Sequence, residues 1–279
     1  MSKRRRLAIW AFILSLSICS PLITYAQDLI LTAPPREKPA AGQNQYGPLA
    51  AYLTKLFGRK VTYVHPGNWL KYQRDMRDDK YDIVFDGPHF ISWRIAHLGN
   101  TAVVVLPGHL QFYLVAKKDN KTINDINDMV AKTFCGIPPP NLATLSIIAA
   151  FPNPVRQPVT VAIRGGAKTV YGGFMKGRCE AAVFRSDFVD KRLSKEQRDQ
   201  LKIVYATKPF PNQGITVSKR VTPRERELML QALTAGDGVK ATAPIRKRYA
   251  RKAKHMIPAK DAQFAGINNL LEGVIFGWE

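Results

Sequence analysis

The chain has few of the residues from which catalytic and metal centres are built. It carries three cysteines and five histidines among 279 residues, and the histidines, at positions 65, 89, 97, 109 and 255, are scattered. No G-x-S-x-G, H-E-x-x-H, P-loop or C-x-x-C motif occurs. Asp86 and His89 could form an acid–base pair, but residues three apart at a helix start are more often capping groups. The sequence therefore predicts neither an enzyme nor a metal site, and it implies no cofactor.

Long hydrophobic runs are also scarce, and the longest stands near the N-terminus. Residues 3–6 are basic, residues 7–18 are apolar, and the segment ends on Thr-Tyr-Ala. This pattern is typical of a secretory signal peptide of residues 1–26, so we expect the mature protein in the periplasm. Cys19 leaves a lipoprotein anchor as an alternative, which is less favoured because Ile18 is bulky where a small residue is expected.

Acidic residues are half as frequent as basic ones. The 42 lysines and arginines against 21 aspartates and glutamates give a net charge of +21, and removal of the four basic residues of the signal leaves +17. Such an excess attracts anions, whether small ligands, nucleic acid or a membrane surface. Export makes nucleic acid the less natural partner, so we expect a small anionic ligand and no nucleic acid.

Two cysteines, Cys135 and Cys179, remain after the predicted processing. In an oxidising compartment they could form a disulfide, since both lie in or next to predicted strands of one region. Two buried free thiols are the alternative, and the sequence leaves both open.

Segments typical of strands and helices alternate twice along the mature chain. This alternation predicts an α/β fold of two lobes with mostly parallel sheets. We assign 27–115 and 207–279 to lobe 1 and 116–206 to lobe 2, with crossings near 112–118 and 205–214. Strand ends and helix N-termini would then face one cleft, which closes by hinge motion.

Helices are predicted, among others, over 46–57, 88–98, 123–129, 223–234, 245–254 and 261–276. The helix over 245–254 is strongly basic and has few acidic neighbours. We interpret it as a solvated face, with contact to anionic lipid headgroups or to an acidic surface of a membrane protein as the alternative.

The most informative segment is 80–90, where a short apolar strand runs directly into Gly87-Pro88 and a helical pattern. Because proline fits the first turn of a helix, the strand is predicted to open onto a helix N-terminus with free N–H groups. Such a site can hold an anion, although an ordinary strand–helix turn has the same pattern.

Further candidate ligand contacts stand where other strands end and helices begin. Together with the segment above they are Tyr46, Asn68, Trp69, Asp86, Gly87, Pro88, His89, Asn141, Leu142, Ala143 and Thr144. Lys168 and Arg185 would add full positive charges, unless both are solvated surface cations. Trp69 would close over the ligand, or would instead belong to the core.

Five short segments of the chain form a pattern that is typical of one family. In chain order they are Tyr46-Gly-Pro-Leu-Ala-Ala-Tyr-Leu53, Gly58-Arg-Lys-Val61, Asn68-Trp69, Tyr81-Asp-Ile-Val-Phe-Asp-Gly-Pro88 and Pro209-Phe-Pro-Asn212. In them the chain resembles the phosphate, phosphite and phosphonate-binding proteins of ABC importers. The resemblance implies a type II periplasmic binding fold, a monomer without catalytic activity, and delivery of the ligand to a membrane permease. A periplasmic sensory module acting on a membrane receptor is the alternative, because the same closing cleft serves both.

The chain departs from the family in the second lobe. A Ser-Thr-Ser run of the family falls where this chain has Asn141 to Thr144, and a His and an Asp of the family fall about where Lys168 and Arg185 stand. Loss of hydroxyl donors and gain of cations favours a fully ionised ligand, such as a carboxylate or an organophosphate. We therefore expect a small organic anion that is not necessarily a phosphonate.

Overall fold

The computed structural model describes residues 27–274. The predicted signal peptide 1–26, with Cys19, lies outside the described residues. Within the described part, no helix is both long enough and apolar enough to cross a bilayer.

The described chain contains strands and helices in alternation, as the sequence predicts. The strands are β1 (Leu29–Thr32), β2 (Val61–Tyr63), β3 (Ile83–Asp86), β4 (Thr101–Val105), β5 (His109–Leu110), β6 (Phe112–Lys117), β7 (Thr133–Gly136), β8 (Val159–Ala162), β9 (Ala181–Arg185), β10 (Leu201–Ala206), β11 (Phe210–Pro211), β12 (Gly214–Val217) and β13 (Ile257–Pro258). The helices are α1 (Pro39–Phe57), α2 (Trp69–Arg77), α3 (Pro88–Leu98), α4 (Leu142–Ile148), α5 (Ala167–Met175), α6 (Ser186–Arg192), α7 (Lys195–Asp199), α8 (Pro223–Thr234), α9 (Gly238–Ala241) and α10 (Ala243–Tyr249).

Two sheets form the centres of two lobes. In lobe 1 the strand order is β13-β4-β12-β3-β1-β2, and β1 to β4 run in one direction while β12 and β13 run against them. In lobe 2 the order is β10-β6-β9-β7-β8, and only β6 is reversed. Every residue of β3 and β12 is buried because helices cover both faces of the sheet. The predicted α/β fold with mostly parallel sheets is thus confirmed.

The chain passes twice between the lobes, at 106–111 and 207–213. Within these passages β5 and β11 pair antiparallel, so the two connections lie side by side. The first passage precedes the predicted crossing at 112–118, because Phe112–Lys117 pairs with β9 and β10 as a full strand of the second sheet.

Two predicted helices are wrong. Over 123–129 only Asn127–Met129 forms a 3₁₀ turn, since the Asp128 carboxylate accepts hydrogen bonds from the backbone N–H groups of Asn124 and Asp125. Short polar side chains of this kind compete with the helical ladder. Over the described part of 261–276 the chain forms two 3₁₀ turns, interrupted at Gly266, which has a left-handed φ of 76°.

The ends of two other helices differ from the prediction. α1 begins at Pro39, seven residues before the predicted start, and continues through Pro48. α10 ends at Tyr249 instead of residue 254. The helix Ser186–Arg192 was not predicted, because its start follows β9 directly without a turn residue.

Cys135 and Cys179 form a disulfide with a Cα–Cα distance of 5.7 Å, which decides between the two alternatives. The bond joins β7 to the residues that lead into β9, its parallel neighbour. Its sequence separation of 44 residues corresponds to about 4 kcal/mol in the chain-entropy description of disulfide stabilisation.

Candidate functional site

A cavity of about 620 Å³ lies between the two lobes, next to the paired connections. Lobe 1 contributes the first turn of α3, Trp69 at the start of α2, and two arginines, Arg36 and Arg248. Lobe 2 contributes the segment 137–143, Gly165 and two further arginines. Within residues 27–274, no group of three His, Cys, Asp or Glu side chains could hold a metal ion.

Eight of the predicted contact residues line this cavity. They are Trp69, Gly87, Pro88, His89, Asn141, Leu142, Ala143 and Arg185. All stand at a strand end or at a helix start, where the sequence placed them. The alternation of strands and helices along the chain was therefore sufficient to predict which ends of these elements face the cleft.

Two predicted residues of lobe 1 serve the fold instead. Tyr46 lies in the middle of α1 and is fully buried in the core of lobe 1, where its hydroxyl is 3.3 Å from that of Tyr249. Asn68 caps α2, its side chain accepting a hydrogen bond from the Lys71 N–H at 2.8 Å. Neither side chain lines the cavity.

Asp86 is also absent from the lining, because its carboxylate is already engaged inside lobe 1. It accepts hydrogen bonds from the Tyr72 hydroxyl at 2.7 and 2.8 Å and from Arg94 Nε at 3.0 Å. All three side chains are fully buried. A ligand thus cannot reach this carboxylate without breaking a buried ion pair.

In lobe 2, Thr144 and Lys168 do not reach the cavity either. Thr144 is fully buried, and its hydroxyl donates to the Ile137 carbonyl at 2.6 Å, which fixes the start of the lining segment 137–140. Lys168 is exposed on the first turn of α5. It is the surface cation that the sequence allowed as an alternative.

The wall at the start of α3 is closely packed. A Cβ on Gly87 would lie 2.9 Å from the His89 ring and 3.8 Å from Arg36 Nη2, so glycine lets these two side chains meet over the backbone. Pro88 occupies the first helical position and has no N–H group. The donors of the first turn are therefore the N–H groups of the residues that follow it.

His89 connects the lobes. Its Nε2 donates to the Pro140 carbonyl at 3.0 Å, across the cleft from α3 to the lining segment of lobe 2. Burial lowers the pKa of His89 to about 3; the hydrogen bond with Pro140 opposes this shift and the charge of Arg36 reinforces it. The ring is therefore neutral, and its buried Nδ1 is an acceptor with no partner among residues 27–274.

Arg36 provides the deepest positive charge. It follows β1 after Pro34 and Pro35, and its guanidinium lies 5.9 Å from the centroid of the Tyr249 ring. Its Nη1 atom is buried and has no hydrogen-bond partner in the described part of the chain. A buried cationic donor without a partner is costly unless a ligand or water completes it. Arg36 was not predicted, although it follows a strand end as Gly87 does.

Arg248 comes from the basic segment that the sequence analysis interpreted as a solvated face. Its Nη2 lies 2.8 Å from Glu37 Oε1, and its guanidinium is 5.2 Å from the Tyr249 ring. The Tyr249 hydroxyl donates to the same Glu37 oxygen at 2.9 Å. Tyr249 thus lies next to both Arg36 and Arg248, at the lobe 1 side of the cavity.

Arg164 and Arg185 stand on the opposite lobe: Arg164 follows the end of β8, and Arg185 is the last residue of β9. Burial lowers the pKa of Arg185, while Asp187, 3.3 Å from its Nη2, counteracts this shift. Arg164 forms no salt bridge with any residue in 27–274 and is exposed at the cavity mouth. Arg164 was not predicted as a ligand contact.

Comparison with known proteins gives one family and several structural relatives. Residues 31–264 match the family model described as ABC transporter, phosphonate, periplasmic substrate-binding protein. No curated protein matches the sequence.

Solved structures share the fold at low sequence identity. A Xanthomonas citri protein bound to ATP has a TM-score of 0.69 and 12% identity, covering 88% of this chain and 99% of its own. PhnD1 from Prochlorococcus marinus in complex with methylphosphonate has a TM-score of 0.62 and 13% identity, and the match covers 88% of this chain and 97% of PhnD1. A binding protein component of an ABC phosphonate transporter from Pseudomonas aeruginosa has a TM-score of 0.55 and 16% identity, and the match covers 87% of this chain and 84% of that protein.

Proposed function

Because the chain belongs to the periplasmic substrate-binding proteins of phosphonate ABC transporters, we propose that it holds a small organic anion between its lobes, in the cavity lined by Arg36 and the first turn of α3. The family consists of transport proteins that bind a solute for a membrane permease, and its members act in the periplasm. The type II periplasmic binding fold implied by the sequence resemblance is confirmed.

One observation supports the anion most directly. Arg36 Nη1 is buried at the cavity without a partner among residues 27–274, beside Gly87 and the N-terminus of α3. An anionic oxygen there would accept from Arg36 and would also lie at the positive end of the helix. No acidic side chain belongs to the part of the lining that the structure describes. An anion therefore meets attraction from every charged group of the cavity wall.

The ligand-binding residues that we propose differ from the predicted set. Trp69, Gly87, Pro88, His89, Asn141, Leu142, Ala143 and Arg185 stay in it, and Arg36, Arg164 and Arg248 join them. The chain lacks the family's hydroxyl run at Asn141 to Thr144, and Asn141 uses its side-chain oxygen to cap α4 by accepting from the Ala143 N–H. Arginines, in place of those hydroxyls, donate hydrogen bonds to the ligand, which favours a ligand that is fully ionised at neutral pH.

We further propose that the passages 106–111 and 207–213 are the hinges of the two lobes. Their side-by-side pairing through β5 and β11 lets both bend together. His89 and Pro140 would then separate when the cleft opens and rejoin when it closes on the ligand. The protein is expected to act as a monomer.

The experiment is isothermal titration of phosphate, phosphite, methylphosphonate and small dicarboxylates into the wild type and Arg36→Gln. We expect at least one of these anions to bind the wild type, and Arg36→Gln to weaken it by about 10- to 100-fold, the range of a hydrogen bond to a charged group. Lys168→Gln is the matched control, because it removes the same charge from an exposed site outside the cavity. Equal affinities of the two variants would contradict the proposed site.

A further inference from the structure

The size of the cavity does not suit a single small anion. A sphere of about 620 Å³ is roughly 11 Å across, within the range of pockets that hold whole organic molecules of drug size. One phosphonate group on Arg36 would leave most of this space to other parts of the ligand. Trp69, Phe112 and Leu142 are among the lining residues, so much of the remaining wall is apolar or aromatic.

The positive charges around the cavity are divided into two groups. Arg36 and Arg248 belong to lobe 1 and flank the Tyr249 ring at 5.9 and 5.2 Å. Arg164 and Arg185 belong to lobe 2, where Arg164 follows the end of β8 and Arg185 is the last residue of β9. Each group is thus held by one lobe, and the cavity separates the two groups.

The electrostatic surroundings of Arg36 and Arg185 are also separate. Burial acts to lower the pKa of Arg36, and the groups that raise it, Tyr249, Tyr46 and Asp86, all belong to lobe 1. Burial also lowers the pKa of Arg185, and the charged groups that act on it, Asp187 and Arg192, both belong to lobe 2. Neither arginine is among the groups that shift the pKa of the other. The two groups of arginines are therefore suited to two different anionic centres.

Acidic neighbours balance only part of this charge. Arg248 pairs with Glu37, and Arg185 pairs with Asp187. Among the described residues, Arg164 has no ion-pair partner, and Arg36 keeps a buried Nη1 without an acceptor. One uncompensated cation thus remains in each group.

From this arrangement we propose that the ligand carries two separated phosphonate-like or phosphate-like groups on an organic linker. One group binds Arg36 and the first turn of α3, and the other binds Arg164 and Arg185. The aromatic and apolar wall contacts the linker. The proposal rests on the proposed function, because it specifies which anion the same cavity holds.

The test compares two homologous series of probes by isothermal titration. Ethyl-, propyl- and butylphosphonate carry one anionic group, and the corresponding α,ω-bisphosphonates carry a second on the same carbon chain. We expect at least one bisphosphonate to bind the wild type ten or more times more tightly than the monophosphonate of equal length. No such preference in any pair would overturn the proposal.

Variants assign the second anionic group to lobe 2. The double variant Arg164→Gln/Arg185→Gln is expected to weaken the bisphosphonate at least tenfold and the monophosphonate less than threefold. Both side chains are partly or fully solvent-exposed, so folding is preserved, as thermal unfolding can verify. Arg36→Gln should weaken both series, and Lys168→Gln neither.

The outcomes separate the two proposals. If the double variant lost equal affinity for the monophosphonates and for the bisphosphonates, the second anionic site would be overturned. The proposed function would still stand if monophosphonate binding depended on Arg36. Failure of every phosphonate probe to bind the wild type would overturn this inference alone, because the proposed function also allows phosphate and dicarboxylates. Binding that is indifferent to Arg36 would overturn the proposed function and this inference together.

Discussion

Gly87 shows how much one missing side chain contributes to the site. Its φ of −77° is available to any residue, so its backbone conformation does not require glycine. The constraint is the approach of the His89 ring, whose Cε1 would lie 2.9 Å from an added methyl carbon. His89 cannot turn aside without losing its hydrogen bond to Pro140. The glycine thus keeps the acceptor ring in place.

Gly87→Ala is therefore expected to displace the His89 ring and to weaken anion binding at least tenfold. Overpacking of this kind costs about 1 to 3 kcal/mol of unfolding free energy. Urea unfolding and titration with the best-binding phosphonate measure the two effects. Gly166→Ala is the matched control, since a Cβ there meets no atom within 4 Å and the φ of −96° is unstrained. Equal behaviour of the two variants would rule out the steric explanation.

Among the elements, α3 is fixed to its sheet by a buried ion pair. Asp86 at the end of β3 accepts a hydrogen bond from Arg94 on α3. The Tyr72 hydroxyl of α2 donates to Asp86 and accepts from Arg94. Removing one partner of such a pair leaves a buried charge, which costs far more than removing both. The pair orients the α3 N-terminus toward the cavity while taking no part in its lining.

Asp86→Ala is expected to lower the unfolding free energy by about 3 to 5 kcal/mol, because the buried Arg94 guanidinium loses its counter-charge. The double variant Asp86→Leu/Arg94→Met should lose distinctly less, since no unpaired charge remains. Both are compared by urea unfolding at pH 7. If Asp86→Ala kept wild-type stability but lost anion binding, Asp86 would be a ligand contact, as the sequence predicts.

At the scale of the whole molecule, the lobes contact each other across the cleft. His89 donates to Pro140, and Leu145 of α4 packs into the cluster that contains Phe90 and Leu271. The closed arrangement thus requires a neutral His89, which faces Arg36, the Phe90 ring and the Pro140 carbonyl. In an open cleft the ring would return toward its ordinary pKa of 6.5.

This predicts that anion binding weakens in acid. Above pH 6.5 His89 is neutral in both forms and closure is unaffected. Below pH 6.5 the open form takes up a proton that closure must expel, so affinity falls by up to tenfold per pH unit toward pH 3. His89→Gln keeps a donor for Pro140 but does not titrate. Methylphosphonate affinities at pH 5, 6, 7 and 8 should therefore diverge between the two proteins, and parallel curves would assign the dependence to the ligand.

Local sequence signals were sufficient wherever a short segment determines its own structure. α3 and α8 have the predicted bounds, since Gly87-Pro88 starts the first, and Thr222, Pro223 and Glu225 form a capping box at the second. The same signals placed Trp69, His89 and Asn141 at helix starts, and these residues do line the cavity. Over 123–129 local signals failed because side chains such as Asp128 took the backbone donors.

The sequence by itself determined the alternation of strands and helices, the excess of positive charge and the ends of the elements that meet at the cleft, because each depends on neighbours along the chain. Only the tertiary structure decided which cations enter the cavity, since Arg36, Arg164 and Arg248 are brought there by three separate elements while Lys168 turns to solvent. It also decided that Asp86 pairs with Arg94 and that Cys135 pairs with Cys179. These choices depend on contacts between distant segments, which periodicity and turn signals do not encode.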